Sequence, residues 1–347
     1  MRTALFGLLF LVLADASVRR ADAWNDAGHL TVARIAWDSL NPDERAAVVA
    51  MLRHHPHCEQ ILLKNRPEDV SEAEWIFVRA STWADHIRPP KNLSFEQVAE
   101  HPTYRFHRGP WHYVNYPYVA GQRESDLPAK PIVGQGINST QILEQLELSM
   151  SVLTDHTITD PGRADDVTDD QNRAIRLCWL FHLVGDLHQP LHAVTLVDHE
   201  RFPGPAHSDL GGNLIMIRKY VGAKPEKLHA FWDGRLGTDS RFATIRQRAE
   251  LLTHDPKLSR DHLEELGKHT HFKDWAAEGY RLAKTTAYRE GTLQFAMFDD
   301  FDQHKITADD VPVLPQGAEE AANTLARRRA VLAGYRLAEK LKQIVNR

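Results

Sequence analysis

The sequence predicts a mainly α, multi-helix fold with a few short strands or extended loops, and three observations predict it. Apolar residues recur at the 3.6-residue spacing of an amphipathic helix in most segments that lie between prolines and glycines. Capping signals head several of those segments: Asn41-Pro42-Asp43-Glu44 supplies a cap, a first-turn proline and two acids in the right order. Runs that alternate apolar and polar residues are few, the clearest being 111–117. No internal repeat, low-complexity segment or linker breaks the pattern, so residues 24–347 read as one domain.

Residues 1–23 stand apart. Arg2, an apolar run over 4–14 and a polar stretch closing on Ala21-Asp22-Ala23 form a secretory signal with a small-x-small cleavage site. The apolar run is too short to cross a bilayer, and no later run is long enough, so no membrane anchoring is expected. The mature chain should begin at Trp24 and act outside the cytoplasm, in the periplasm or the medium.

A first helix is expected over 29–40, with Leu30, Ile35, Ala36 and Leu40 on its apolar side and His29 near its start. A second follows over 42–54. His54-His55-Pro56-His57 looks metal-rich, but a helix end favours solvated cationic histidines that complement the terminal dipole. The span 71–87 reads as one helix through Trp75, Val78, Ala80, Trp83 and Ala84, ended by Pro89-Pro90 and followed by loop to Arg108. An extended stretch over 111–117 precedes a loop over 121–136.

Ile142, Leu143, Leu146, Met150 and Leu153 mark a helix over 139–155. Thr168 or Asp169 caps a central helix carrying Ile175, Leu177, Cys178, Leu180 and Phe181. The segment 194–219 is the most irregular, and its His207-Ser208-Asp209-Leu210-Gly211-Gly212-Asn213 suits either a hairpin turn or close backbone approach to a ligand. Helices at about 239–253, 258–267, 272–289 and 317–346 complete the chain, the last with a core stripe of Leu325, Leu332, Leu337, Leu341 and Ile344.

Lysine and arginine number 42 against 47 aspartate and glutamate. Losing Arg2, Arg19, Arg20, Asp15 and Asp22 with the signal leaves 39 against 45, a net charge of −6. Such a chain does not coat nucleic acid by bulk basicity, and phosphate chemistry must find its positive charge elsewhere. Two cysteines, Cys58 and Cys178, exclude a disulfide-stapled scaffold; pairing, ligation by Cys178 and a buried thiol all stay open. Asn92-Leu93-Ser94 and Asn138-Ser139-Thr140 fit the glycosylation pattern, although Asn138 or Ser139 equally suits a helix cap.

The chemistry concentrates in 181–192. His182 and Asp186 lie one helical turn apart, so an imidazole and a carboxylate share a face, and Pro190 then turns the backbone so that His192 can swing back. Such a pair serves equally as a buried core contact. Its recurrence in His229 and Asp233, again four apart, favours a polynuclear metal site. Asp85 sits in the last turn of its expected helix, where its charge opposes the dipole and a bound cation compensates it.

These residues, with Trp24, Gly28-His29, Thr82-Trp83-Ala84-Asp85, Trp111-His112-Tyr113, Gln189-Pro190-Leu191, Gly211-Gly212-Asn213 and Ala333-Gly334-Tyr335-Arg336-Leu337-Ala338, resemble the S1/P1 nuclease family over essentially the whole mature chain. That resemblance implies a fold of the phospholipase C/P1 nuclease type and a cofactor of three Zn²⁺ ions. One ion would take Asp85, His112, His182 and Asp186, a second His192, His229 and Asp233. The third would take the amino nitrogen and carbonyl of Trp24 with His29, Asp186 bridging it to the first. Six positive charges against three aspartates leave about +3, a site for an anion. The resemblance further implies hydrolysis of single-stranded RNA and DNA to 5′-phosphate products, with 3′-nucleotides as further substrates. Tyr113 would stack a base and Asn213 would hold substrate. Where familiar members carry an aspartate that handles the attacking water, this chain has Asn115, which can orient water but not take its proton. A monomer without a stable protein partner is expected. Alternative readings are a zinc-dependent phospholipase C, disfavoured by Asp233 in place of that group's glutamate, and a non-catalytic metal-binding protein.

Overall fold

The computed structural model describes residues 24–120, 128, 130–131, 141–202 and 206–346. The signal of residues 1–23 and the Asn138 sequon lie outside the described residues. The helices run α1 (Asp26–Asp38), α2 (Pro42–Leu52), α3 (Glu72–Ala80), α4 (Trp83–His86), α5 (Phe95–Glu100), α6 (Ile142–Thr154), α7 (Asp169–His188), α8 (Leu228–Asp233), α9 (Phe242–Thr253), α10 (Glu265–Lys268), α11 (Phe272–Leu282), α12 (Phe298–Asp302) and α13 (Ala318–Val345). Five short strands accompany them: β1 (Tyr116–Val119), β2 (Val194–Val197), β3 (Ile215–Ile217), β4 (Glu226–Lys227) and β5 (Ala296–Met297). The fold is thus mainly α, and among the described residues the strands form two small sheets.

α7 is the axis. Thr168 caps it, its hydroxyl accepting from Gln171 N–H while the Gln171 side chain returns the bond. From Ala174 to His188 nearly every residue is buried, because α1, α2, α3, α4, α6, α11 and α13 all pack around it. A helix enclosed on all sides must be apolar or must find partners for its polar groups. α13 crosses α1 at Gly334, where a Cβ would fall 2.5 Å from Ile35 Cγ2; only glycine allows that approach. Trp24, Trp83, Trp179 and Trp232 fill the surrounding core with no more than 1% exposure.

The sheets matter for what they align. β1 and β2 pair in parallel, Tyr116 opposite Val194, which brings 112–116 alongside 192–194. β3 lies antiparallel between β4 and β5, and β4 runs directly into α8.

Several sequence expectations change. Residues 109–112 form a 3-10 turn where extended chain is expected from 111, and of the helix expected over 258–267 only Glu265–Lys268 is α-helical, preceded by a 3-10 turn at Arg260–His262. The helix expected over 71–87 breaks into α3 and α4 at Ser81 and Thr82, and the break is used by the site described below. The stretch to Arg108 is not all loop: Ser94 caps α5 in a reciprocal arrangement with Gln97. The irregular 194–219 segment contains β2 and β3. His55 and His57 are buried rather than solvated: Trp83 Nε1–H donates to His57 Nδ1 at 3.1 Å, and burial pushes the pKa of both histidines down, so neither is a cationic terminus. Cys58 and Cys178 are buried free thiols outside the groups that could hold a metal among the described residues.

Candidate metal centre

Each long-range neighbour at the site has a local cause. On α7, His182 Nε2 stands 3.3 Å from Asp186 Oδ2, as the one-turn spacing requires. On α8, His229 Nε2 stands 3.7 Å from Asp233 Oδ2. α1 brings in His29, whose Nε2 is 3.2 Å from Asp186 Oδ1 and whose ring stacks on His182 at 4.1 Å between centroids. That approach needs Gly185, since a Cβ there would lie 2.6 Å from His29 Nδ1. α4 carries Asp85 to 3.8 Å from His182 Nε2. The β1–β2 pairing sets His112 beside the same pair, its Nδ1 3.0 Å from both Asp186 Oδ2 and His182 Nε2. Trp24 is fully buried, and the next amide, Asn25 N–H, reaches the Asp233 carbonyl at 3.4 Å.

Three groups result, each with its ligand atoms within 4.8 Å of one another: His29, Asp85 and His182; His112, His182 and Asp186; and His192, His229 and Asp233. All the sequence-selected histidines and aspartates thus converge, far apart in the chain though they are. Asp186 belongs at the junction, touching His29, His112 and His182.

Outer hydrogen bonds decide which ring nitrogen faces inward. His182 Nδ1 donates to Ser81 O at 2.7 Å, the carbonyl at the break between α3 and α4. His192 Nδ1 donates to His112 O at 2.7 Å and His229 Nδ1 to Gly211 O at 2.6 Å. A carbonyl only accepts, so the proton of each neutral ring sits on Nδ1 and the lone pair on Nε2. Yet His192 Nε2 and His229 Nε2 stand 3.2 Å apart. Two lone pairs facing at that distance repel unless a proton or a metal cation lies between them. A proton is disfavoured: burial, then His192, pushes the His229 pKa down to about 3, and burial lowers that of His192. A cation resolves the geometry, and two nitrogens bound tetrahedrally at 2.0–2.1 Å lie about 3.3 Å apart. His112 Nε2 and His29 Nδ1, buried without a hydrogen-bond partner, add polar atoms that an apolar core does not account for. The donor set of imidazoles and carboxylates fits zinc.

The first two groups differ electrostatically from the third. Burial pushes the His182 pKa down, but Asp186 and Asp85 outweigh it and raise it to about 9. Burial pushes Asp186 up, and His182, His112 and His29 reverse that to well below the carboxylate range. Acidic neighbours thus favour a second, charging proton on His182, whereas burial disfavours one on His192 and His229.

A cavity of about 400 Å³ opens onto His112, His192 and His229. Tyr113, Asn115 and Asn213, chosen from sequence, all line it. Tyr113 is 40% exposed, offering a ring face to solvent. Sequence reasoning missed three others. Arg88 lines the cavity and donates to Asp85 Oδ1 at 2.8 Å; its place one turn after Asp85 was the available signal. Leu210, 54% exposed with a left-handed φ of 56°, gives the same cavity an apolar wall. His107 also lines it, and burial, then His112 and Arg88, hold its pKa at about 4.

Fold and site together define a class: a helical protein whose buried imidazole and carboxylate groups suit a metal-dependent hydrolase. Residues 24–346 match the family described as S1/P1 Nuclease, and the chain belongs to that family, hence to the hydrolases of phosphodiester bonds. It is similar to three proteins of Arabidopsis thaliana. Identity to Endonuclease 3 is 27% over 62% of this chain, and to Endonuclease 4 it is 23% over 89%. Identity to Endonuclease 5 is 25% over 89% of the chain. The matched stretch spans 55% of the length of Endonuclease 3, but 90% and 92% of the other two.

Proposed function

We propose that this chain is a secreted, zinc-dependent nuclease that cleaves single-stranded RNA and DNA and leaves 5′-phosphate ends. Three zinc ions would be held as follows: one by Asp85, His112, His182 and Asp186; one by His192, His229 and Asp233; and one by His29, Asp186 and the amino terminus of Trp24 once the preceding segment is removed. The observation that carries the reading is the pair of inward-facing Nε2 atoms of His192 and His229 at 3.2 Å, each with its Nδ1 on a backbone carbonyl, beside two further His/Asp groups. No described helix is long and apolar enough to cross a membrane.

Zinc, when bound, supplies a Lewis acid that lowers the pKa of water to about 7 and takes up charge on phosphoryl oxygens. The chain's own residues do the rest. Arg88 faces the cavity with a fixed guanidinium beside Asp85, a donor for a non-bridging phosphate oxygen. Tyr113 and Leu210 give a nucleobase an aromatic face and an apolar wall. A base reaches such surfaces only when it is unpaired, which favours single strands. Asn213, whose Nδ2 already donates to the Leu210 carbonyl at 2.9 Å, offers its remaining amide N–H and its oxygen to the same base or sugar, and the Asn115 side chain orients water without taking its proton.

The test is to incubate mature protein starting at Trp24 with single-stranded RNA, single-stranded DNA, duplex DNA and lecithin, alongside metal analysis. Three zinc ions per chain, cleavage of both single strands and products that ligate through their 5′-phosphates are expected. Cleavage of lecithin alone, or zinc-free protein of unchanged activity, overturns the proposal.

A further inference from the structure

Asp209 is a buried carboxylate outside the three His/Asp groups, with no exposure to solvent. It accepts from five donors. Thr195 Oγ1, Leu196 N and Gly211 N reach Oδ1 at 2.9, 2.8 and 3.0 Å. Gly212 N and the Tyr288 hydroxyl reach Oδ2 at 2.8 and 2.7 Å. Around it Leu210, Gly211 and Gly212 take three consecutive left-handed conformations, φ 56°, 62° and 85°. At Gly211 a Cβ would come 2.8 Å from the Leu191 carbonyl, so the turn is close-packed as well as strained.

One peptide unit in that turn faces two ways. Its N–H belongs to Gly212 and points at Asp209 Oδ2; its C=O belongs to Gly211 and accepts from His229 Nδ1 at 2.6 Å. We propose that Asp209 is a positioning residue for the metal centre, acting on His229 through the Gly211–Gly212 peptide. A negative charge at the N–H end polarises the peptide and makes its oxygen a stronger acceptor. The stronger bond holds the His229 proton on Nδ1 and raises the donor strength of Nε2, which faces His192. Metal-binding histidines commonly give their second N–H directly to a carboxylate or a carbonyl. Here the two arrangements stand in series.

This inference rests on His229 being a metal ligand. The test uses the mature chain loaded with zinc, and competition against a chromophoric chelator measures the affinity of each ion. Asp209→Asn keeps the shape but removes the charge, and its amide nitrogen can no longer accept from the donors on one side. The ion bound by His192, His229 and Asp233 is expected to bind about tenfold more weakly, with the affinities of the others unchanged. In zinc-free protein, the proton resonance of His229 Nδ1–H is expected to move upfield. Burial raises the Asp209 pKa to about 6, and the Tyr288 hydroxyl holds it down. Tyr288→Phe, which removes a competing donor, is therefore read at a pH well above 6, where the carboxylate stays charged; zinc affinity at that group should hold or rise there. Unshifted zinc affinity in Asp209→Asn overturns the inference, as does loss of all ions together or loosening in Tyr288→Phe. Wild-type protein that binds no metal at His229 overturns instead the reading on which this one rests.

Discussion

Gly185→Ala is the sharpest probe of how the centre is built. In an ordinary helix interior the change stabilises, by about 1 kcal/mol. On α7 the added Cβ would lie 2.6 Å from His29 Nδ1 and 2.9 Å from its Cε1, whereas ordinary contact starts near 3.4 Å. The imidazole must therefore retreat by about 0.8 Å, roughly four times the 0.2 Å tolerance of a metal–ligand bond. His29 has little room to move, since its ring already stacks on His182 at 4.1 Å. Overpacking of this kind costs about 1–3 kcal/mol, which cancels or exceeds the propensity gain. The assay pairs urea denaturation of zinc-free protein with metal analysis of the loaded form. Stability should stay level or fall by up to about 2 kcal/mol, and zinc content should fall from three towards two as the ion at His29 is lost. A variant that gains stability and keeps all its zinc would refute the reasoning.

Three further outcomes follow from the same geometry. One extra residue ahead of Trp24 should abolish the ion that needs a free α-amino group and leave two zinc ions per chain, as measured by metal analysis. Asn115→Asp should change single-strand cleavage by less than about tenfold at neutral pH while shifting the pH profile; a gain of 10² or more would mark the missing proton acceptor as limiting. Zinc-free protein should be most stable near pH 6.5, as urea midpoints at pH 5, 6.5 and 8.5 would report. Burial holds His55 and His188 well below their ordinary value, so each costs stability as pH falls below 6.5, by about 1.4 kcal/mol per unit. His182, raised to about 9, contributes stability that is complete below 6.5 and is lost as pH climbs through 9. Zinc on the same nitrogen should flatten that alkaline decline.

Much of this was determined by the sequence because it is a matter of near neighbours. The caps at Asn41 and Thr168, the helical stripes and the one-turn pairs His182/Asp186 and His229/Asp233 are fixed by spacings of three and four residues. The helix end at Asp85 and the turn at Pro190 pointed to Asp85 and His192, and the resemblance carried by scattered motifs added His29 and His112. What the tertiary structure alone decided is how the groups face one another. The break at Ser81 frees a carbonyl for His182, 101 residues away, and the β1–β2 pairing turns the His112 carbonyl towards His192. Those bonds set the tautomers, and the tautomers turn two lone pairs towards each other. Arg88, Leu210 and His107 joined the cavity, and His55 and His57 left the solvent, for the same reason. Burial and hydrogen-bond direction depend on which distant segments pack together, and no local spacing encodes that.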